Sequence, residues 1–125
     1  MAKKKKEITS EGLTELIVEA IREKKGKEIV TINFRDTDNS LTDFFVICHG
    51  TSTAQVEAIA DNIPDYLRKK AGLKPWHSEG FQNAEWILLD YVDVVVHVFL
   101  DTSRKFYKIE NLWADAKVEH YEDEN

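Results

Sequence analysis

Apolar residues recur along this chain with two periods, and each change of period marks an element. Leu13, Leu16, Ile17, Ala20 and Ile21 follow a 3.6-residue repeat, which predicts a first helix over residues 9–25. Thr9 or Ser10 caps its start, and Gly26 stands where a left-handed residue would end it. Residues 28–34 alternate and are β-rich, 35–42 are polar and turn-like, and 43–48 form a compact apolar run. The first and last of these read as strands, the second strand being central. Ser52 and Gln55 have capping-box spacing and start a second helix near Thr53. Its buried stripe is Val56, Ile59, Ala60, Ile63 and Leu67; Pro64 predicts a kink and Gly72 an end. Residues 75–79 read as a third strand, reached from the second by a helical crossover, which predicts a parallel, right-handed connection. Phe106, Tyr107, Ile109, Leu112 and Trp113 predict a last helix or pair of short turns, capped by Ser103.

The most informative stretch is 86–99, WILLDYVDVVVHVF. Two apolar runs flank the polar segment 90–93, so it reads as a β-hairpin supplying strands four and five. Side chains alternate across a strand. Ile87, Leu89, Val94, Val96 and Val98 then share one face, and Trp86, Leu88, Val95, His97 and Phe99 the other. The order αββαβββα predicts a single α/β domain with a mixed, mostly five-stranded sheet. Three helices can cover one face fully. The second face, rich in aromatic and aliphatic groups, needs a cover too, either from this chain or from a partner protein.

The 125 residues fit one domain at 9–117, flanked by a basic tail at 1–8 and an acidic tail at 118–125. No apolar run approaches the roughly 20 residues that span a membrane, and no signal-peptide core follows the first lysines. A single cysteine excludes an internal disulfide framework, and together these features point to the cytoplasm. A net charge of −6 makes a poor general binder of phosphate backbones. The lysines at 3–6 are a local exception, either a solvated terminus or a contact with RNA or an acidic surface.

Candidate chemistry is sparse. Cys48, His49, His77, His97 and His120 have no zinc-like spacing, so neither a metal nor another cofactor is expected. Cys48 sits in an apolar run as an inert thiol, and His97 reads as a satisfied sheet histidine rather than a base. No nucleophile elbow, P-loop or dinucleotide fingerprint occurs. One enzyme-like constellation remains: Gly50, Thr51 and Ser52 before a helix, with Asp90 and Asp93 downstream, as a nucleotidyltransferase would need. Metal carboxylates on one strand should be two residues apart, and these are three apart at a turn. The competing reading makes Ser52 a helix cap and the aspartates turn formers.

Three blocks carry a resemblance: DFFVICHGTSTAQVEAIADNI, EGFQNAEWILLDYVDVVVHVF and RKFYKIENLW. In this order they resemble the Iojap-like ribosomal silencing factors over residues 9–116. The resemblance implies a mixed sheet with nucleotidyltransferase-like topology and a non-enzymatic role. Such factors bind the large ribosomal subunit at the protein called L-fourteen, block joining of the small subunit, and lower translation when nutrients are scarce. The family pattern makes Trp86 the main anchor, surrounded by Leu88, Tyr91, His97 and Phe99. Asp90 and Asp93 supply a polar rim or pin the turn, Glu79 and Gly80 lead into the face, and Arg104 and Tyr107 close one side. Trp86, Tyr107 and Trp113 have core packing as the alternative, and Trp76 matches no block. The family commonly has glycine where this chain has Val92. A β-branched residue disfavours positive φ, so another turn geometry is expected. An uncovered apolar face also predicts a homodimer away from the ribosome.

Overall fold

In the computed structural model, which describes residues 8–37, 42–113 and 115–123, Thr9 opens the first helix by accepting the Gly12 N–H at 2.9 Å. That helix, α1 (Ser10–Glu23), buries Leu13, Ile17, Ala20 and Ile21, as its period requires. Lys25, not Gly26, takes the left-handed conformation that follows, at φ 61°. Gly26 is required for another reason, since a Cβ there would collide with the Ile21 side chain. Strands β1 (Lys27–Asn33) and β2 (Phe44–Gly50) come next. Ser52 accepts the Gln55 N–H at 3.1 Å and starts α2 (Thr53–Ala71), which runs through Pro64 and ends on left-handed Gly72.

The rest of the chain is β3 (His77–Glu79), β4 (Trp86–Asp90), β5 (Val94–Leu100), α3 (Asp101–Tyr107), a 3-10 turn at Ile109–Asn111 and β6 (Lys117–His120). Ser103, expected as the last cap, lies inside α3, whose first turn carries Asp101 instead. The sheet is mixed, in the order β3-β4-β5-β2-β1-β6. β2 and β5 are parallel, and the other neighbours are antiparallel. β3 therefore does not pair with β2, as the crossover predicted; it sits at the edge beside β4.

The sheet has six strands rather than five. The extra one, β6, takes the beginning of the segment expected to be a free acidic tail from 118 onward. Val118 pairs with Ile32 and His120 with Val30, and Glu28 N–H donates to Asp123 Oδ1 at 2.7 Å. All four β6 side chains are exposed, so backbone pairing holds the strand and no apolar period announces it. The basic lysines at 3–6 lie outside the described residues.

Two layers of unequal completeness result. α1 and α2 both pack on one face, over Val46, Cys48, Ile87, Leu89, Val96 and Val98. The third helix does not join them. α3 and the 3-10 turn fold onto the opposite face, where Ile109 packs with Val30, Ile32, Ile47 and Phe99. They cover only part of that face.

Candidate partner-docking face

The hairpin between β4 and β5 sets one border of the uncovered area. Its turn is a γ-turn: Asp93 N–H donates to Tyr91 O at 2.9 Å, and Val92 between them has φ 75°. The valine was expected to avoid this conformation. Several hydrogen bonds impose it. Asp90 Oδ1 accepts the Val92 N–H at 2.7 Å, and Tyr91 N–H donates to Val94 O at 2.9 Å. Asp93 O accepts from the N–H groups of Asp43 and Phe44, which ties the turn to the start of β2. Surrounding contacts hold a strained backbone here, with the Val92 side chain 57% exposed.

Beyond the turn lies a groove of about 700 Å³. Its floor is the second sheet face: Leu88 from β4, Val95 and His97 from β5, Phe45 from β2. Phe34, Phe45 and Trp113 form one wall, their rings meeting edge to face at 4.9–5.3 Å. Trp76, 75% exposed, stands on the other side with Asp90 and Val92. Asp90 is the acidic group of the lining, and no lysine or arginine of the described residues lines it.

Trp86 sits just outside the groove and is half-buried. Its ring lies 4.9 Å from both Phe99 and Tyr107, and its Nε1–H donates to His97 Nδ1 at 3.1 Å. His97 is only 4% exposed, and burial pushes its pKa down to about 4, so the imidazole is neutral near pH 7. It is half satisfied rather than fully so: Nε2 is buried without a partner among the described residues.

Burial changes the roles of several residues expected at the contact surface. Phe99 is sealed at 0% exposure beneath Trp86 and Ile109. Tyr91 is buried with the helix-covered core, on the opposite side of the sheet. Arg104 is buried too. Its Nε and Nη2 reach Glu110 Oε1 at 2.9 and 2.8 Å, and its Nη1 donates to Glu28 O at 2.7 Å and contacts His49 Nδ1 at 3.0 Å. Arg104 thus pins α3 to β1 and β2. Gly80 acts through its backbone: at φ 95° it passes so close to Trp86 that a Cβ would strike the Trp86 carbonyl oxygen. Glu79 is exposed on the edge strand, 2.7 Å from His77, and Asp93 is exposed at the turn. Leu88, Asp90, Trp86 and half-exposed Tyr107 remain at the surface of the face. Trp76, Phe45, Val95 and Trp113 belong to it as well. Period-two alternation in β2 would have located Phe45, which pairs with Val95 in register; Trp76 offered no signal.

The enzyme-like constellation does not come together. Gly50 pairs with Leu100 at one end of the parallel pair, and Phe44 pairs with Val94 at the other. Asp93 is thus separated from the Gly50 turn by the length of β5, about 20 Å at 3.3 Å per residue. The turn amides are also occupied: Thr51 N–H donates to Gln55 Oε1 at 2.8 Å, and Gln55 N–H to Ser52 Oγ. Cys48 is buried, its thiol pushed up to about 12 by loss of solvent.

A family model described as "Ribosomal silencing factor during starvation" matches residues 7–125. The ribosomal silencing factor RsfS of Halalkalibacterium halodurans is 38% identical over 109 residues, which are 87% of this chain and 92% of that one. The chloroplastic protein Iojap of Arabidopsis thaliana is 39% identical over 75 residues, 60% of this chain and 31% of its own. A solved protein structure from Chromobacterium violaceum matches the fold with a TM-score of 0.81 at 34% identity, covering 88% of this chain and 90% of that chain. The family match runs from α1 through β6, so the whole α/β domain belongs to the Iojap-like ribosomal silencing factors.

Proposed function

We propose that this chain binds the large ribosomal subunit through the protein called L-fourteen, in the cytoplasm. There its folded body prevents the small subunit from joining and lowers translation when nutrients are limiting. The observation that carries this reading is the unfinished second face, an aromatic groove lined by Phe45, Trp76 and Trp113, with Trp86 and Tyr107 packed together just outside it. An interface of about 800 Å² per partner suffices where aromatic anchors stand in it. A net charge of −6, with Asp90 in the groove, favours a basic protein over bare RNA, whose phosphates it repels. Obstruction needs no chemistry: a domain of this length has a radius of gyration of about 14 Å, too thick for a closed subunit joint. Away from the ribosome the same face pairs with a second copy.

Sucrose-gradient sedimentation tests the reading. Added protein is expected to travel with the large subunit and to lower the yield of joined ribosomes when small subunits follow. Co-migration with small subunits, or undiminished joining, overturns it. Light scattering of the isolated protein at high concentration is expected to give twice the chain mass.

A further inference from the structure

A tryptophan at the border of an open face has several rotamers available unless something selects one. Trp86 and His97 are diagonal neighbours on that face, since Trp86 pairs with Phe99 and Leu88 with His97. The indole N–H can only donate, so His97 Nδ1 must be the unprotonated acceptor. The neutral ring then carries its proton on Nε2, the atom left buried without a partner among the described residues. The imidazole itself is fixed, 4.5 Å from Phe45 and nearly parallel to Phe99. The hydrogen bond to this held ring therefore selects one orientation of the Trp86 indole.

We propose that His97 is a positioning residue, which in its neutral, Nε2-protonated form holds the Trp86 indole in the orientation that meets the ribosomal partner. The proposal rests on the reading of Trp86 as a contact residue. Burial keeps the imidazole uncharged near neutral pH, so the acceptor is permanent there.

Three full-length variants test it: His97→Leu, His97→Asn and Trp86→Ala. Each is followed by thermal melting, by hydrogen exchange of the Trp86 indole in NMR, and by co-sedimentation with isolated large subunits. His97→Leu is expected to keep the melting temperature within about 3 °C of the unaltered chain. It should also speed indole exchange and weaken subunit binding by about tenfold. Asparagine places an oxygen close to the Nδ1 position, so His97→Asn restores both protection and binding. A purely structural histidine would lower melting temperature and binding together, with no rescue by asparagine, and that result overturns the proposal. So does wild-type binding by His97→Leu. Wild-type binding by Trp86→Ala overturns the contact reading instead. An unprotected indole in the unaltered free protein removes the lock itself, whatever the ribosome binds.

Discussion

The two faces of this sheet are built from the same strands but to different standards. The helix-covered face is aliphatic and closed: Val46, Ile87, Leu89, Val96 and Val98 are fully buried under α1 and α2. The opposite face alternates with it residue by residue and carries Phe45, Trp86, Leu88 and His97, with α3 over one part alone. Aliphatic side chains fill a sealed core at high density. Aromatic side chains with polar atoms give large contact area and directional hydrogen bonds, the chemistry of recognition surfaces in general. One face specifies the fold and the other leaves area available for recognition.

The largest expected effect contrasts neighbours on opposite faces. Leu89→Ala should cost about 3 kcal/mol in urea unfolding, because it opens a cavity in the closed layer. Leu88→Ala should cost less than about 1 kcal/mol, since that side chain is already partly exposed and its loss opens no closed cavity. Equal costs would erase the distinction between the faces.

Acid should act through the open face. The folded pKa of His97 lies near 4, below its unfolded value of 6.5, so the unfolded chain binds the extra proton first. The neutral ring adds no penalty above pH 6.5, and stability is lost as pH falls from there through 4, by about 3 kcal/mol at most. His49 is lowered as well, by burial and then by Arg104, and adds loss of the same sign. Urea midpoints between pH 7 and 4.5 should show the decline, reduced in His97→Leu; an identical decline in that variant would assign it elsewhere.

Trp86→Ala should weaken large-subunit binding by about 2 kcal/mol while the chain still folds. Co-sedimentation with a parallel melting curve measures both, and unchanged binding removes Trp86 from the contact. The smallest effect is a gain. Val92→Gly should add about 1 kcal/mol of stability by relieving a β-branched residue held at positive φ. A loss would mean that the exposed valine packs better than its strain suggests.

Helix stripes, the hairpin and the division of its residues between faces were legible because they follow periodicity. What escaped was decided by contacts distant in sequence. Phe99 alternates with Trp86's face, yet only the passage of α3 and Ile109 across it makes it core. Tyr91 sits at a turn, where strand alternation no longer assigns a side. Val92 takes a conformation that its own chemistry resists, because Asp90 and the start of β2 impose it. β6 is a row of exposed side chains held by backbone pairing, which composition reads as tail. Trp76 precedes a three-residue edge strand and has no periodic neighbours to place it.

That edge strand and β6 close the sheet in an unpromising way for anything that would extend it. β3 offers three residues, His77, Ser78 and Glu79, and β6 offers Lys117, Val118, Glu119 and His120. Short borders bearing charge are poor templates for adding another strand. Growth of the sheet from molecule to molecule, edge to edge, is thereby discouraged.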